Sequence, residues 1–307
     1  MSDNILIKHL LVPLDGSLLA ESVLPSVAYL ARKMNTSVML IHIIEKDAPE
    51  KVHGQRHLKL PKQAEKYLES ITSLDIFKGI SLEIHVHKEM VKDVPKSIAD
   101  HIKELNQDIV ILCAHGNVRL QGMLFGSVAQ QVISRGKTPV LLINPAAGKL
   151  SIENHFKNFL IPLDGNHDHE YALSYASGLA KLCEASMHLV MAIPNFGTMS
   201  GEVSPANRFL PATTAKMMDM LVTDAKEYLE TLQENFKETN LNITISASRK
   251  DPAEAILATA EQNNSDLIVL ATHGTKGAEA FWEGSITPKI SRASKVPLLL
   301  VPVYKKF

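Results

Sequence analysis

The residues best suited to do chemistry are two short constellations of histidine, glycine and serine. His115-Gly116 is followed by nine residues and then Gly126-Ser127-Val128, and His273-Gly274 by nine residues and then Gly284-Ser285-Ile286. Glycine lets a main chain come close to an anion and adopt φ > 0. A Gly-Ser step that opens a helix presents unpaired N–H groups and the positive end of the helix dipole, which together attract phosphate oxygens. The serine hydroxyl can add a hydrogen bond or cap the helix, and His115 or His273 could donate to a ligand. One such arrangement is equally well a turn followed by a cap. Two in register, each after an apolar run and before a helix-period segment (127–135 and 285–293), point to phosphate binding.

A phosphate loop needs elements that hold it, and the chain repeats them. Residues 10–16 read LLVPLDG and residues 159–165 read FLIPLDG, an offset of 149 that also matches Glu21 with Glu170 and Ala31 with Ala180. Asp108-Ile-Val-Ile-Leu-Cys-Ala-His115-Gly116 matches Asp266-Leu-Ile-Val-Leu-Ala-Thr-His273-Gly274 at an offset of 158, which continues to Pro139 and Pro297. Between them, Tyr67-Leu68-Glu69 answers Tyr228-Leu229-Glu230. The change of offset implies an insertion in the second copy, placed at Pro194–Ala212 by its Gly, Ser, Pro and Asn content. A period of half the chain is a domain duplication, with expected boundaries at 1–145 and 157–307 and a linker over Asn144–Lys157.

Within each copy, short apolar runs alternate with helix-period segments. Leu6–Leu14, Val38–Ile44, Ile80–Val86, Ile109–Cys113 and Val140–Ile143 read as buried parallel strands. Ala20, Val23, Val27, Leu30 and Met34 line one face of a helix that Pro25 should bend. Met217, Leu221, Ala225, Tyr228, Leu232 and Phe236 form the matching core stripe in the second copy. The fold class is therefore α/β, with two tandem doubly wound five-stranded parallel sheets. Ligands of such sheets sit beyond the carboxyl ends of strands where strand order reverses. That places Pro13-Leu14-Asp15-Gly16 and Pro162-Leu163-Asp164-Gly165 beside the two glycine loops.

Composition narrows the classes. In 307 residues, 45% hydrophobic and 21% charged with a net charge of −1, nothing draws the chain to nucleic acid or an acidic membrane. No run approaches membrane-spanning length, and the cysteines, Cys113 and Cys183, lie in different halves. The expectation is a cytoplasmic protein.

On these motifs both halves resemble universal stress protein domains. ATP-binding members of that family are similar in carrying Gly-x2-Gly-x9-Gly-[Ser/Thr] at this place. Here the leading glycine is Cys113 in the first copy and Ala271 in the second. Alanine is a small departure and cysteine a bulkier one, so the resemblance favours the second site. It further implies that Asp15 and Asp164 contact the nucleoside and that main chain at Ile43 and Ala192 reads the adenine edge. It implies ATP, AMP or ADP as ligand, with magnesium on the phosphates, and pairing through the last strands. By that pairing Val140–Ile143 would meet Leu298–Val301, and two chains could form a homodimer.

Other motifs lead nowhere. Gly136-Lys137-Thr138 has Gln131 where a P-loop requires glycine, and it precedes a strand. Gly-x-Gly-x-x-Gly is missing. His85 with His87, His53 with His57, and His167 with His169 are separate pairs, whereas a metal needs about three or four converging ligands. They read as solvated or satisfied histidines, with no metal centre. Cys113 reads as a packing residue. Three functions follow: a nucleotide-dependent stress protein read by partners, a slow ATPase using His115 or His273, or a scaffold with empty sites. The first leads, because no general base and no cationic clamp is visible.

Overall fold

The computed structural model describes residues 7–114, 127–144, 156–193, 211–273 and 286–303. Of Ser127, 211–214 and His273 it describes the main chain only. The first half runs β1 (His9–Pro13), α1 (Leu18–Glu21), α2 (Leu24–Met34), β2 (Ser37–Glu45), a hairpin of β3 (Lys51–Val52) and β4 (Gln55–Arg56), α3 (Pro61–Thr72), β5 (Leu82–Val91), α4 (Val94–Glu104), β6 (Ile109–Cys113), α5 (Ser127–Arg135) and β7 (Val140–Ile143). The second runs β8 (Asn158–Leu163), α6 (Tyr171–Cys183), β9 (Ser186–Ile193), α7 (Pro211–Glu234), β10 (Ile243–Arg249), α8 (Pro252–Gln262), β11 (Leu267–His273), α9 (Thr287–Ala293) and β12 (Leu298–Val303).

Ten strands form one sheet in the order β10-β9-β8-β11-β12-β7-β6-β1-β2-β5, and β3 and β4 pair antiparallel apart from it. Each half of the large sheet is parallel throughout, and its two central neighbours, β1 with β6 and β8 with β11, are where the winding reverses. The halves join through β7 and β12, which pair antiparallel with Leu141 opposite Leu299. The expected meeting of the last strands thus occurs within one chain and merges two five-stranded sheets into one of ten. Both strands are buried along their length, so the seam removes two apolar edges from water.

The repeated aspartates do structural work at the other end of the sheet. Asp108 accepts hydrogen bonds from the N–H groups of Lys8 and His9 at 2.8 and 3.0 Å. Asp266 does the same for Lys157 and Asn158 at 2.6 and 2.9 Å. Each carboxylate satisfies main-chain donors where a central strand begins. The repeated tyrosine and glutamate also meet in the second half, where the Tyr228 hydroxyl donates to Glu170 Oε1 at 2.9 Å.

Three expectations need correction. The run Ile80–Val86, expected as a buried strand, is the edge strand β5, whose residues are half-buried or exposed because only one neighbour covers them. The helix that Pro25 should bend is broken, with Pro25 in the first turn of a new helix, α2, where its missing N–H is harmless. Its stripe from Ala20 to Met34 is buried as expected. In α7, Ala225 and Leu232 point inward, but Met217 is 48% exposed and Met218 takes the buried position. The expected linker and insertion lie mostly outside the described residues. The β3–β4 hairpin was not foreseen, because its strands are too short and polar to show a period.

Candidate functional site

In the first half, Pro13 ends β1 and Asp15 follows it. The Asp15 Oδ1 atom accepts from the Ser17 N–H at 2.9 Å, and Ser17 in turn caps α1. Gly16 needs its positive φ of 86°, and a Cβ there would come within 2.8 Å of Leu58 Cδ1. Leu58 is brought there by the hairpin. His53 at the hairpin tip places Nε2 3.9 Å from Asp15 Oδ2. Buried His42 ties the cover down: its Nδ1–H donates to the Leu14 carbonyl at 2.7 Å, and Nε2 lies 3.3 Å from the Leu58 carbonyl. Burial lowers the His42 pKa, outweighing the opposing hydrogen bonds to the Leu14 and Leu58 carbonyls. Ile43, the expected adenine-reading position, is buried. The chain thus packs its own side chains against the carboxyl ends of β1 and β2.

The second half differs at the same places. Pro162 lies in β8, and Asp164 follows the strand with its side chain 56% exposed. The His169 Nδ1 lies 2.9 and 2.8 Å from its two oxygens, and the Asn166 N–H donates to it at 3.1 Å. Burial opposes ionisation of Asp164, but these partners win and hold its carboxyl below the usual range. Gly165 has φ 80°, and among the described residues only Met191 Cε lies near its absent Cβ, at 3.5 Å. Ala192, the counterpart of Ile43, is half-buried. At the end of neighbouring β11, Thr272 is buried and its hydroxyl has no hydrogen-bond partner among the described residues. A buried hydroxyl left unpaired costs about 1–3 kcal/mol, so this position suits an incoming polar group.

The remaining expected residues divide as follows. Val128 lies in α5, whose first residue is Ser127, and Ile286 is the N-cap of α9. That helix begins at Thr287 instead of the expected Ser285, with Pro288 in its first turn. His273 is the last residue of β11. His115, Gly116, Gly126, Gly274, Gly284 and Ser285 lie outside the described residues. Sequence reasoning missed Thr272, the Asp164–His169 pair and the cover formed by His42, His53 and Leu58. Of these residues the sequence singles out Asp164 as a nucleoside contact, and His53 and His169 only as members of the pairs His53–His57 and His167–His169. Cys113 behaves as a packing residue: it is buried, its Sγ accepts from the Ser22 hydroxyl at 3.3 Å, and burial pushes its thiol up.

The fold and site define a duplicated doubly wound α/β protein with unequal crevices at its two switch points. The family model of the universal stress protein family matches residues 6–144 and again 155–302. The chain therefore belongs to the universal stress protein family, as a tandem of two such units. A universal stress protein of Methanocaldococcus jannaschii is 28% identical over 156 residues, covering 50% of this chain and 86% of the relative. A putative universal stress protein of Staphylococcus aureus is 30% identical over 152 residues, covering 48% and 84%. The crystal structure of a universal stress protein from Archaeoglobus fulgidus superposes with a TM-score of 0.70 at 18% identity, over 98% of this chain and 99% of that one. That likeness shows that the whole tandem fold recurs.

Proposed function

We propose that this universal stress protein binds one adenine nucleotide, ATP or its AMP and ADP relatives, in its second half, and that partners read the conformation or assembly state the nucleotide favours. The observation that carries this reading is the inequality of the two crevices. Asp164 is accessible and the Thr272 hydroxyl has no hydrogen-bond partner among the described residues, whereas Asp15 and Gly16 sit under the hairpin. The second half also keeps the nearer match to the family's phosphate loop, with Ala271 where the first has Cys113. Asp164 would hold the nucleoside, main chain at Ala192 the adenine edge, and Gly274 and Gly284-Ser285 the phosphates. For a ligand to act as a switch it must bind one state more tightly than the other; affinity alone shifts nothing. The division into units at 1–145 and 157–307, a homodimer of chains, and a place in the cytoplasm belong to the same proposal.

The test is to denature freshly purified protein, identify any released small molecule, and titrate ATP into wild type and two variants, with and without magnesium. Gly284→Val should abolish binding by filling the space a phosphate needs. Gly126→Val should leave one nucleotide per chain. Full ATP affinity in Gly284→Val would overturn the assignment, and absence of both carried and titrated nucleotide would favour an empty scaffold.

A further inference from the structure

Three histidines converge on the outer edge of the first half. His85 and His87 are two residues apart on β5, the terminal strand of the sheet, and face the same side. Their partners across the strand pair are Ile41 and Ile43, which pack in one apolar cluster with Ile98 and Ile102 of α4. His101, between those isoleucines, is buried and turns its ring towards the strand. Its ring centroid lies 4.8 Å from that of His85 and 5.0 Å from that of His87. One ligating nitrogen from each of the three lies within 4.8 Å of the others. The sequence showed only a pair here, because His101 lies 14 residues beyond His87, about two turns into α4, and reaches the pair only through the crossover.

We propose that His85, His87 and His101 form a binding site for a divalent transition cation of the zinc class. The His101 Nδ1–H donates to the Ser97 carbonyl at 2.7 Å, and a carbonyl can only accept, so in the neutral ring Nε2 keeps its lone pair. Such a second-shell bond fixes tautomer and ring orientation in metal-binding histidines. Metal binding also requires neutral imidazoles. A tetrahedral zinc with bonds of about 2.0–2.1 Å sets its ligand nitrogens about 3.4 Å apart, so the three nitrogens, within 4.8 Å of one another, need to close by up to about 1.4 Å. Three imidazoles leave a fourth position for water, and imidazole suits zinc, copper and nickel over magnesium or calcium.

The duplication supplies an internal comparison. By strand register, Ser246 and Ser248 stand opposite Val190 and Ala192, as His85 and His87 stand opposite Ile41 and Ile43. By the alignment of α4 with α8, Thr259 stands where His101 does. The fold therefore does not demand imidazoles at these places; the second half builds the same layer with hydroxyls. A cation would tie α4 to the edge strand, at a site independent of the nucleotide crevice.

Untagged full-length protein, stripped with chelator, would be titrated with zinc chloride against a chromophoric competitor, and with cobalt chloride while following visible absorption. The expected result is one zinc per chain at micromolar affinity or tighter, a tetrahedral cobalt spectrum, and a thermal midpoint raised by zinc. His85→Gln and His87→Gln, both on the partly exposed edge strand, should each weaken binding about 100-fold or more, since even second-shell losses cost 10–100-fold. Each should also lose the zinc-induced midpoint shift while keeping the wild-type circular dichroism spectrum. Stoichiometric binding unchanged in the double variant would place the metal elsewhere. No binding to folded wild-type protein at tenfold excess zinc would show that the rings only pack. Either result overturns the proposal, and neither bears on ATP binding.

Discussion

The seam between β7 and β12 makes a quantitative prediction. Leu141 and Leu299 face each other across the antiparallel pair, 2% and 1% exposed. They belong to one apolar cluster that draws residues from both halves, while Val140, Leu142, Leu298 and Leu300 fill the opposite face. Replacing either leucine by alanine removes its transfer free energy and leaves a cavity that the surrounding strands cannot close, a combined loss of about 3–4 kcal/mol. Because the two side chains share one volume, the double variant should depart from additivity by at least about 0.5 kcal/mol. The cluster spans the seam without interruption, so both halves should unfold in one transition. Urea titrations followed by far-ultraviolet circular dichroism and by hydrogen exchange at β1 and β8 measure both quantities. Additive costs, or two separate transitions in the wild type, would refute the continuous sheet as the unit of stability.

Two further outcomes follow from single groups. Asp266→Ala strands the N–H groups of Lys157 and Asn158 at a part-buried strand start and should cost about 1–3 kcal/mol. Asp108→Ala, at the more exposed counterpart, should cost less, and equal urea midpoints for the two variants would contradict this account. Acid should destabilise the fold: His42, His85 and His188 all have folded pKa values below the 6.5 of an ordinary histidine, each lowered first by burial. The unfolded chain therefore binds protons first, so this contribution is complete above pH 6.5 and declines as pH falls towards the folded values. Stability measured at pH 7.5 and 5.5 should fall with acidification, and His42→Asn should flatten that slope; a slope unchanged by the variant would remove His42 as a cause.

The chain's own sequence determined the duplication, the fold class and the order of elements. LLVPLDG and FLIPLDG, the Asp108 and Asp266 blocks and the apolar periods are local signals, because a buried parallel strand must be apolar along its length and a packed helix must be apolar along one stripe. The seam was legible for the same reason, as two fully apolar last strands that needed cover. Side-chain convergence was not legible. Whether Leu58 lies over Gly16, whether His169 turns to Asp164, and whether Thr272 finds a partner depend on loops and strand ends that period cannot reach. His85, His87 and His101 make the point most clearly: two share a strand face by spacing, but the third meets them only because a right-handed crossover folds α4 back over the sheet edge. Residues distant in the chain become neighbours through packing, and packing was decided by the tertiary structure alone.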